Sequence, residues 1–420
     1  MIVRRFEWAE PGRVASEIRA WIGAGREPVE VDEIRQQVQA RGDAAVLELT
    51  ARFDATERPP ESLRVDPAEA SVALRSLDAT LREALEVAAS NVRAVAEAQL
   101  DPEPRSVALP QGHTVEVRQV AVGAAGAYAP GGRAAYPSTV LMCCIPAAVA
   151  GVGRIALATP PRPDGTLPPI VLAAAALCEV DEIYAMGGAQ AIFALADGTE
   201  SVSPVDFVVG PGNAWVQEAK RRVYGTVGVD SFAGPSELMI VAAHDTEIEW
   251  AALDLCAQAE HGDDSPLVVA AVEQATLDGI ERATQAAAAE RGVAEASLAL
   301  VQVPDLADAV ALANELAPEH LQLMSEDAYA LAPEVRTAGC VFVGRSSATS
   351  FGDYVAGSNH VLPTGGAGRF SGPLGPDVFR RTIANVSLPG AAAAALAPHV
   401  AALAGAEGLP VHGESARVRK

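Results

Sequence analysis

The sequence lacks any long, uninterrupted hydrophobic run. Half of its 420 residues are hydrophobic and a fifth are charged, but proline, glycine, histidine or charged residues break every alanine-rich stretch. Because a helix that crosses a bilayer needs about 20 consecutive apolar residues, we expect no membrane-spanning segment. The first residues include acidic side chains where an export signal would carry an apolar stretch, so we also expect no export.

Positive charge is scarce. The formal net charge is −23, and nearly all of the 31 basic residues are arginines. Such a chain would repel a nucleic-acid backbone unless a local basic patch existed. The two dense basic runs, Lys220–Arg222 and Arg417–Lys420, are short, and we expect both to be solvated surface. These observations argue against a nucleic-acid partner.

Cysteine is also scarce, and no CxxC pair occurs. An odd number of cysteines without such spacing argues against a disulfide framework or a zinc ribbon and favours the reducing cytoplasm. No cysteine lies in a polar glycine loop, so a catalytic thiol has little support. We expect small apolar core residues at all five positions, which are Cys143, Cys144, Cys178, Cys256 and Cys340.

Three familiar motifs are missing: GxGxxG after a strand, HExxH, and GxSxG. Without GxGxxG the chain lacks the usual dinucleotide-binding fingerprint. The absence of HExxH argues against a zinc hydrolase, and the absence of GxSxG argues against a serine hydrolase. Two shorter glycine turns, Gly187–Gln190 and Gly210–Asn213, each follow a predicted strand and open a predicted helix. Helix N-termini at the carboxyl ends of parallel strands suit a pyrophosphate, although such turns are also common as plain backbone features.

Apolar strand-like runs alternate with helical patterns through most of the chain. Residues 27–99 show helical periodicity, and a strand-like stretch, 115–122, leads into a predicted loop at 123–132. Strands and helices then alternate over 155–224 and again over 238–343. This alternation predicts two α/β units with parallel strands and helices on their faces. After about Pro376 we expect an alanine-rich helical tail, packed on its own chain or across a dimer.

Two candidate metal ligands lie near the end of a predicted helix, 247–261. Gln258 and His261 are three residues apart, so they share one helix face, and Asp263 and Asp264 follow directly. Amide oxygen, imidazole and carboxylate can all bind zinc. The plain alternative is a histidine favoured at a helix C-terminus by the macrodipole.

Glu319 and His320 follow Pro318 at the predicted end of another helix. Adjacent residues do not share a helix face, but at a helix end both side chains could point at a substrate. His320 would then be a base tuned near neutral pH. The plain alternative is a surface glutamate beside a core histidine.

A polar, glycine-spaced loop, 352–360, contains Asp353 and His360 just after a predicted strand. Such residues are costly inside a core unless they are paired, so the composition favours a site, although Asp353 could instead cap a turn. Glu407 and His412 lie in the tail, where they would otherwise pass for surface residues.

Several segments together resemble the histidinol dehydrogenase family. The resemblance runs in the same order from about Arg41 to the tail. It is carried by Tyr128–Gly132, Tyr136–Met142, Gly210–Asn213, Ala233–Glu237, Gln258–Gly262, Pro318–Leu321 and Ser358–Gly366.

The resemblance implies a role for each candidate. One zinc ion would be bound by Gln258, His261, Asp353 and His412, and nitrogen and oxygen ligands suit zinc. Contacts to NAD are implied for Tyr128, Gln190 and Asn213. Contacts to the substrate are implied for Ser236, His360 and Glu407, together with the four zinc ligands and His320.

The resemblance also implies a reaction. L-histidinol would be oxidised to L-histidine through histidinaldehyde with two NAD⁺, the final step of histidine biosynthesis. His320 would be the general base for the alcohol, and Glu319 would activate the water that hydrates the aldehyde, because an aldehyde has no hydroxyl to ionise before the second hydride transfer. Two rivals stay open: a related zinc- and NAD-dependent dehydrogenase of another small alcohol, such as a sulfonated diol, and a metal-binding scaffold without activity.

The predicted fold class is α/β, with two Rossmann-like parallel-sheet domains that lack the GxGxxG fingerprint, a helical N-terminal arm and a C-terminal dimerisation tail. The resemblance implies a homodimer in which each tail completes the partner's site. The predicted boundaries are 1–24 for the arm, 25–125 with 238–375 for the first α/β domain, 126–237 for the second, and 376–420 for the tail.

Overall fold

The computed structural model describes most of the chain, namely residues 1–23, 29–55, 57–101, 103–131, 134–180, 182–262, 264–293 and 295–419. Gly132, Asp263 and Lys420, which belong to segments named above, lie outside the described residues, as does the predicted boundary at residues 24 and 25. Over the described ranges, no helix is both long and apolar enough to span a bilayer.

The described residues form fifteen strands. Those of the parallel sheets are rich in alanine, valine, isoleucine and leucine because helices cover both faces of such sheets. In chain order the strands are β1 (Ile2–Phe6), β2 (Arg64–Val65), β3 (Arg105–Ala108), β4 (Thr114–Ala121), β5 (Ala124–Tyr128), β6 (Arg154–Thr159), β7 (Glu182–Ala185), β8 (Phe207–Val209), β9 (Gly228–Val229), β10 (Leu238–Ala242), β11 (Pro266–Ala271), β12 (Ser297–Gln302), β13 (His320–Met324), β14 (Cys340–Val343) and β15 (Arg380–Ser387).

Sixteen α-helices are present in the same ranges. Several begin at an acidic residue that accepts a hydrogen bond from the first turn, as Asp78 does from the Leu81 N–H at 3.0 Å, which satisfies an otherwise unpaired donor. They are α1 (Pro11–Ile22), α2 (Asp32–Arg41), α3 (Asp43–Phe53), α4 (Pro67–Ser76), α5 (Ala79–Gln99), α6 (Pro137–Ala150), α7 (Pro169–Leu177), α8 (Gly188–Asp197), α9 (Ala214–Val223), α10 (Ile248–Ala259), α11 (Gln274–Arg291), α12 (Leu306–Leu316), α13 (Ala328–Leu331), α14 (Thr349–Tyr354), α15 (Gly390–Ala406) and α16 (Pro410–Arg417).

Two six-stranded sheets organise the fold. The first has the order β1-β12-β11-β10-β13-β14 and is entirely parallel. The second has the order β2-β7-β6-β5-β8-β9 and is parallel except for β2. A smaller antiparallel sheet has the order β15-β4-β3. The predicted α/β class with two parallel sheets is confirmed.

Neighbouring residues of the inner strands pack on opposite faces of each sheet. In β6, Leu157 joins an apolar cluster with α6 and α7, whereas Ala156 and Ala158 join another cluster with α8 and α9. Cys143, Cys144, Cys178 and Cys256 are buried and Cys340 is half-buried, and all five thiols are free. The prediction of small core residues is therefore confirmed for four cysteines and only partly for Cys340.

One predicted loop is wrong. Within 123–132, the segment Ala124–Tyr128 is β5, a fully buried strand at the centre of the second sheet. Its small residues lack the β-branched side chains that usually mark a strand. At Gly126 space is limited, since a Cβ there would lie 3.1 Å from a methyl group of Leu195.

Three further expectations need correction. Glu319 and His320 are not at a helix end: α12 stops at Leu316, and His320 begins β13. Asp353 lies in the short helix α14 rather than in a loop. The tail is not wholly helical either, since β15 pairs with β4 along its full length.

The predicted domain boundaries stay a prediction, but the packing differs from them at two places. The N-terminal segment is more than a helical arm, because β1 pairs with β12 and α1 packs on α12. The second place lies within 25–125, which was predicted to belong to the first α/β domain. There β2 pairs with β7 of the second sheet, and α4 packs on α7. Local sequence pattern carries no information on which of two similar sheets an element joins.

Candidate active site

A cleft of about 1130 Å³ separates the two large sheets, and we call it the inter-sheet cleft. One wall is the carboxyl edge of the second sheet, with Gly131 after β5 and the Gly210–Asn213 turn after β8. The other wall is the amino edge of the first sheet, where residues precede β10, β11 and β13. Seven of the twelve predicted site residues line it: Asn213, Ser236, His261, Glu319, His320, Asp353 and His360.

The Gly210 turn is packed directly against β5. Gly210 has φ +119°, and a Cβ there would lie 2.1 Å from the Tyr128 carbonyl oxygen, so only glycine fits. Asn213 caps α9 by accepting a hydrogen bond from the Val216 N–H at 3.1 Å. The turn therefore presents the N-terminus of α9 at the cleft, an arrangement that suits an anionic group.

A buried ion pair fixes this turn from behind. Lys220 donates to the Gly210 carbonyl oxygen at 2.9 Å and pairs with Asp230, while Asp230 accepts from the Gly210 N–H at 2.8 Å. Lys220 is fully buried, so the expectation that it lies on a solvated surface is wrong. Its ammonium group can be buried because a carboxylate and a carbonyl satisfy it.

Tyr128 and Gln190 are buried behind the cleft wall rather than lining it. The Tyr128 hydroxyl oxygen accepts a hydrogen bond from the Gly188 N–H at 3.1 Å, and burial raises the pKa of Tyr128. Gln190 is 2% exposed, and its Nε2 has no hydrogen-bond partner among the described residues. A buried amide without a partner is costly, which makes Gln190 a candidate ligand-binding group.

Asp54, which the sequence analysis did not identify, is a carboxylate beside the Gly187-Gly188 turn. It ends α3, and burial raises its pKa to about 6. Its Oδ2 is buried and has no hydrogen-bond partner in the described part of the chain. No motif marks this residue, and only its position next to Gly187 reveals it.

Glu319 is held by a reciprocal contact with Glu237. The Glu319 Oε2 accepts from the Glu237 N–H at 2.7 Å, and the Glu237 Oε2 accepts from the Glu319 N–H at 3.3 Å. The second carboxylate oxygen of Glu237 accepts from the Gly365 N–H at 2.9 Å. Glu319 is thereby fixed in a buried position at the cleft wall, which excludes the alternative of a surface glutamate.

His320 is oriented by its backbone neighbour. Its Nδ1 lies 2.9 Å from the Glu237 carbonyl oxygen, which can only accept a hydrogen bond, so Nδ1 carries the hydrogen and Nε2 is directed elsewhere. Nε2 lies 3.6 Å from the Asp353 Oδ1. Burial alone would lower the pKa of His320, but the carboxylates of Glu319 and Asp353 and the Glu237 carbonyl raise it to about 9.

His360 is fixed through both ring nitrogens. Nε2 lies 3.0 Å from the Thr139 hydroxyl oxygen, and Nδ1 lies 3.0 Å from the Asp353 carbonyl oxygen. Burial lowers the pKa of His360. Because Nδ1 faces an acceptor, it must donate, and the lone pair on Nε2 then accepts from Thr139. The ring is neutral and already occupied, so it does not suit a proton-transfer role.

Gln258 and His261 differ in their surroundings. Gln258 is 2% exposed on α10, and neither its Oε1 nor its Nε2 has a hydrogen-bond partner among the described residues. His261 is exposed and lines the cleft two residues beyond the end of the helix. Over the described ranges, no group of three or more His, Cys, Asp or Glu side chains is placed to bind a metal ion.

Glu407 and His412 do not line the inter-sheet cleft of their own chain. Glu407 follows α15 and His412 lies in α16, and both are exposed. The two tail helices pack chiefly on each other. Two of the predicted site residues are thus not brought to the others within a single chain.

Comparisons with known proteins match the whole architecture. A family model described as histidinol dehydrogenase matches residues 26–420. The histidinol dehydrogenase of Ruegeria pomeroyi is 45% identical over 414 residues, covering 95% of each chain, and that of Pseudomonas aeruginosa is 41% identical, covering 99% of this chain and 97% of the relative. A crystal structure of histidinol dehydrogenase from Elizabethkingia anophelis is 30% identical with a TM-score of 0.90, covering 99% of this chain and 97% of that one.

Proposed function

Since the chain belongs to the histidinol dehydrogenase family, we propose that it oxidises L-histidinol to L-histidine through the aldehyde, the last step of histidine biosynthesis. Two NAD⁺ would accept the hydrides, and one zinc ion would bind in each subunit. One observation carries the proposal: the buried pair Glu319 and His320 faces the Gly210 turn across the inter-sheet cleft. The cytoplasmic location stays a prediction from the cysteine content.

The residues present fit a zinc ion. The Gln258 Oε1 is buried without a hydrogen-bond partner among the described residues, and a metal would supply the missing contact. His261, three residues after Gln258, and Asp353 line the inter-sheet cleft, and nitrogen and carboxylate oxygen ligands suit zinc. A bound zinc ion would orient the substrate by binding its nitrogens. His412 would be the fourth ligand, supplied from another subunit.

The residues present also fit NAD. Asn213 opens α9 at the cleft, and Gln190 has an amide hydrogen without a partner in the described structure. Tyr128 supports the Gly188 turn from behind. The nicotinamide would supply the hydride-accepting chemistry, while these residues bind and position the dinucleotide.

His320 has the geometry of a general base for the alcohol. Because Nδ1 donates to the Glu237 carbonyl, the neutral ring would take the hydroxyl proton at Nε2. The neighbouring carboxylates raise its pKa to about 9, which keeps the ring protonated near neutral pH. A divalent cation at Asp353 would offset one of their charges and so favour the neutral ring that acts as the base. Loss of that proton favours departure of the hydride from the same carbon.

Glu319 has the geometry of the base for the second oxidation. Its carboxylate is held by the Glu237 N–H at the cleft wall. An aldehyde lacks a hydroxyl, so water must add before another hydride can leave, and Glu319 would take the proton from that water. Retention of the aldehyde in the cleft between the two steps avoids loss of a reactive intermediate.

A homodimer with exchanged tails would complete the site. Leu403, Val411 and Val418 on the tail are 67%, 70% and 78% exposed, and apolar side chains at this exposure favour a protein contact. Glu407 and His412 lie on the same segment but away from their own cleft. We therefore assign both residues to the partner's substrate and zinc site.

The stoichiometry of NADH tests this reaction. The unsubstituted protein is expected to form two NADH per histidinol, whereas Glu319→Gln is expected to form about one, because the amide still accepts from Glu237 but no longer activates water. Spectrophotometric NADH formation with limiting histidinol measures both ratios. Lack of turnover with histidinol would contradict the proposed function, and a ratio of two for Glu319→Gln would contradict the role of Glu319.

Removal of the metal tests the zinc site. Dialysis against a chelator is expected to abolish activity, and added zinc is expected to restore it. Gln258→Ala should weaken zinc binding at least tenfold because it removes one ligand. Elemental analysis and zinc titration measure this effect, with Gln302→Ala on β12 as the control. Equal zinc affinity in both variants would exclude Gln258 as a ligand.

A further inference from the structure

The Asp54 carboxylate has no role in the proposed oxidation, and it lies beside the Gly187-Gly188 turn. A Cβ added to Gly187 would lie 2.9 Å from the Asp54 Oδ2 and 3.2 Å from its Oδ1. Among the described residues, the Asp54 Oδ2 accepts no hydrogen bond. Buried carboxylates normally have a donor, so this one lacks a partner.

A second unsatisfied group lies at the same turn. A Cβ on Gly188 would meet the Gln190 Oε1 at 2.8 Å, and the Nε2 of that buried amide has no partner among the described residues. A carboxylate that needs donors and an amide that needs an acceptor therefore lie on either side of one turn. A ligand with adjacent hydroxyl groups satisfies both requirements.

The position of the turn indicates which part of a dinucleotide it would meet. Hydride transfer requires the nicotinamide near His320, across from the turn that follows β8. The Gly187 turn follows β7, which is separated from β8 by β6 and β5. Three strand spacings amount to about 14 Å, so the Gly187 turn lies towards the adenosine end.

We propose that Asp54 accepts hydrogen bonds from the hydroxyls of the adenosine ribose of NAD and thereby excludes NADP. This inference rests on the proposed function. In chains with the usual glycine fingerprint, an acidic residue performs this task, and the present chain lacks that fingerprint. A 2′-phosphate would bring negative charge against the Asp54 carboxylate, whose buried Oδ2 has no hydrogen-bond partner among the described residues.

Asp54→Ser and Asp54→Asn test the inference, with Glu48→Gln as the matched control because Glu48 is an exposed carboxylate on the same helix. Calorimetric titration with NAD and with NADP measures binding, and steady-state kinetics measure KM and kcat. For Asp54→Ser we expect NAD binding to weaken about tenfold, as loss of charge-assisted hydrogen bonds predicts. The ratio of the affinity for NAD to the affinity for NADP should fall at least as much. The value of kcat at saturating NAD should change little.

The outcomes separate this inference from the proposed function. Unchanged NAD affinity in Asp54→Ser would overturn the assignment of Asp54, and so would weaker NAD binding with an unchanged preference over NADP. Thermal denaturation of Asp54→Asn, which keeps the side-chain volume, shows whether an effect follows from misfolding. If the unsubstituted protein neither binds NAD nor oxidises histidinol, the proposed function itself fails, whatever the variants do.

Discussion

His320→Asn is expected to lower kcat by about 10³-fold, because the variant has no group of suitable basicity to accept the alcohol proton. Asparagine can still donate to the Glu237 carbonyl in place of Nδ1, so the local structure should persist. Binding of zinc and NAD, measured by titration, should therefore be nearly unchanged. The first hydride transfer should slow, since the alcohol would not be deprotonated at that position, and the second should slow with it because the aldehyde forms more slowly.

His360→Asn is the matched comparison for this prediction. His360 lines the same cleft, but both of its ring nitrogens are already engaged, by Thr139 and by the Asp353 carbonyl. We expect a much smaller loss of kcat, about tenfold, with a larger effect on KM. If His360→Asn were the inactive variant and His320→Asn retained most of its kcat, the assignment of the base would be reversed.

Mixing two inactive variants is expected to restore activity. His320→Asn inactivates the cleft and His412→Ala inactivates the tail, so a mixed dimer with exchanged tails would contain one intact site. For random association, about a quarter of the native activity should return, because half of the dimers are mixed and each has one working site of two. Co-expression of both chains, followed by an NADH assay, measures the recovery.

A control pair shows whether recovery depends on an intact cleft and an intact tail meeting in one dimer, rather than on mixing alone. His320→Asn mixed with Asp353→Ala damages the cleft in both chains, so no dimer contains an intact site and no activity should return. If His412→Ala with His320→Asn also gave none, despite mixed dimers being isolated, each tail would act within its own subunit. The exposure of the tail side chains Leu403, Val411 and Val418 would then need another explanation.

The sequence predicted the fold class because alternation of strand and helix patterns is a local property. Most of the paired strands and helices between 154 and 343 appear where periodicity placed them. It failed at β5, because its small residues lack strand propensity and the tight packing of Gly126 against Leu195 is a long-range contact. It also failed at Glu319 and His320, since the short break after Ala317 (φ +45°) leaves little trace in the sequence.

The site residues that belong to motifs were predicted from the sequence, whereas those whose role depends on long-range contacts were not. Motifs identified Glu319, His320, Asp353 and His360, and the structure brings these four to one cleft. Lys220 was misread because a basic run normally indicates surface, and its partner Asp230 is recognisable only after folding. Asp54 carries no motif at all, since its environment depends on a turn 133 residues away at Gly187. Roles that arise from long-range contacts require the three-dimensional structure.

The two walls of the inter-sheet cleft belong to different sheets. The turns after β5 and β8 belong to one sheet, and the segments before β10, β11 and β13 belong to the other. Under the proposed function, substitutions in the latter segments that spare His261 and Glu319 would change which alcohol is accepted without disturbing the half that would hold the coenzyme. A new substrate preference would then need changes in short connections on one side only, with the redox partner kept constant.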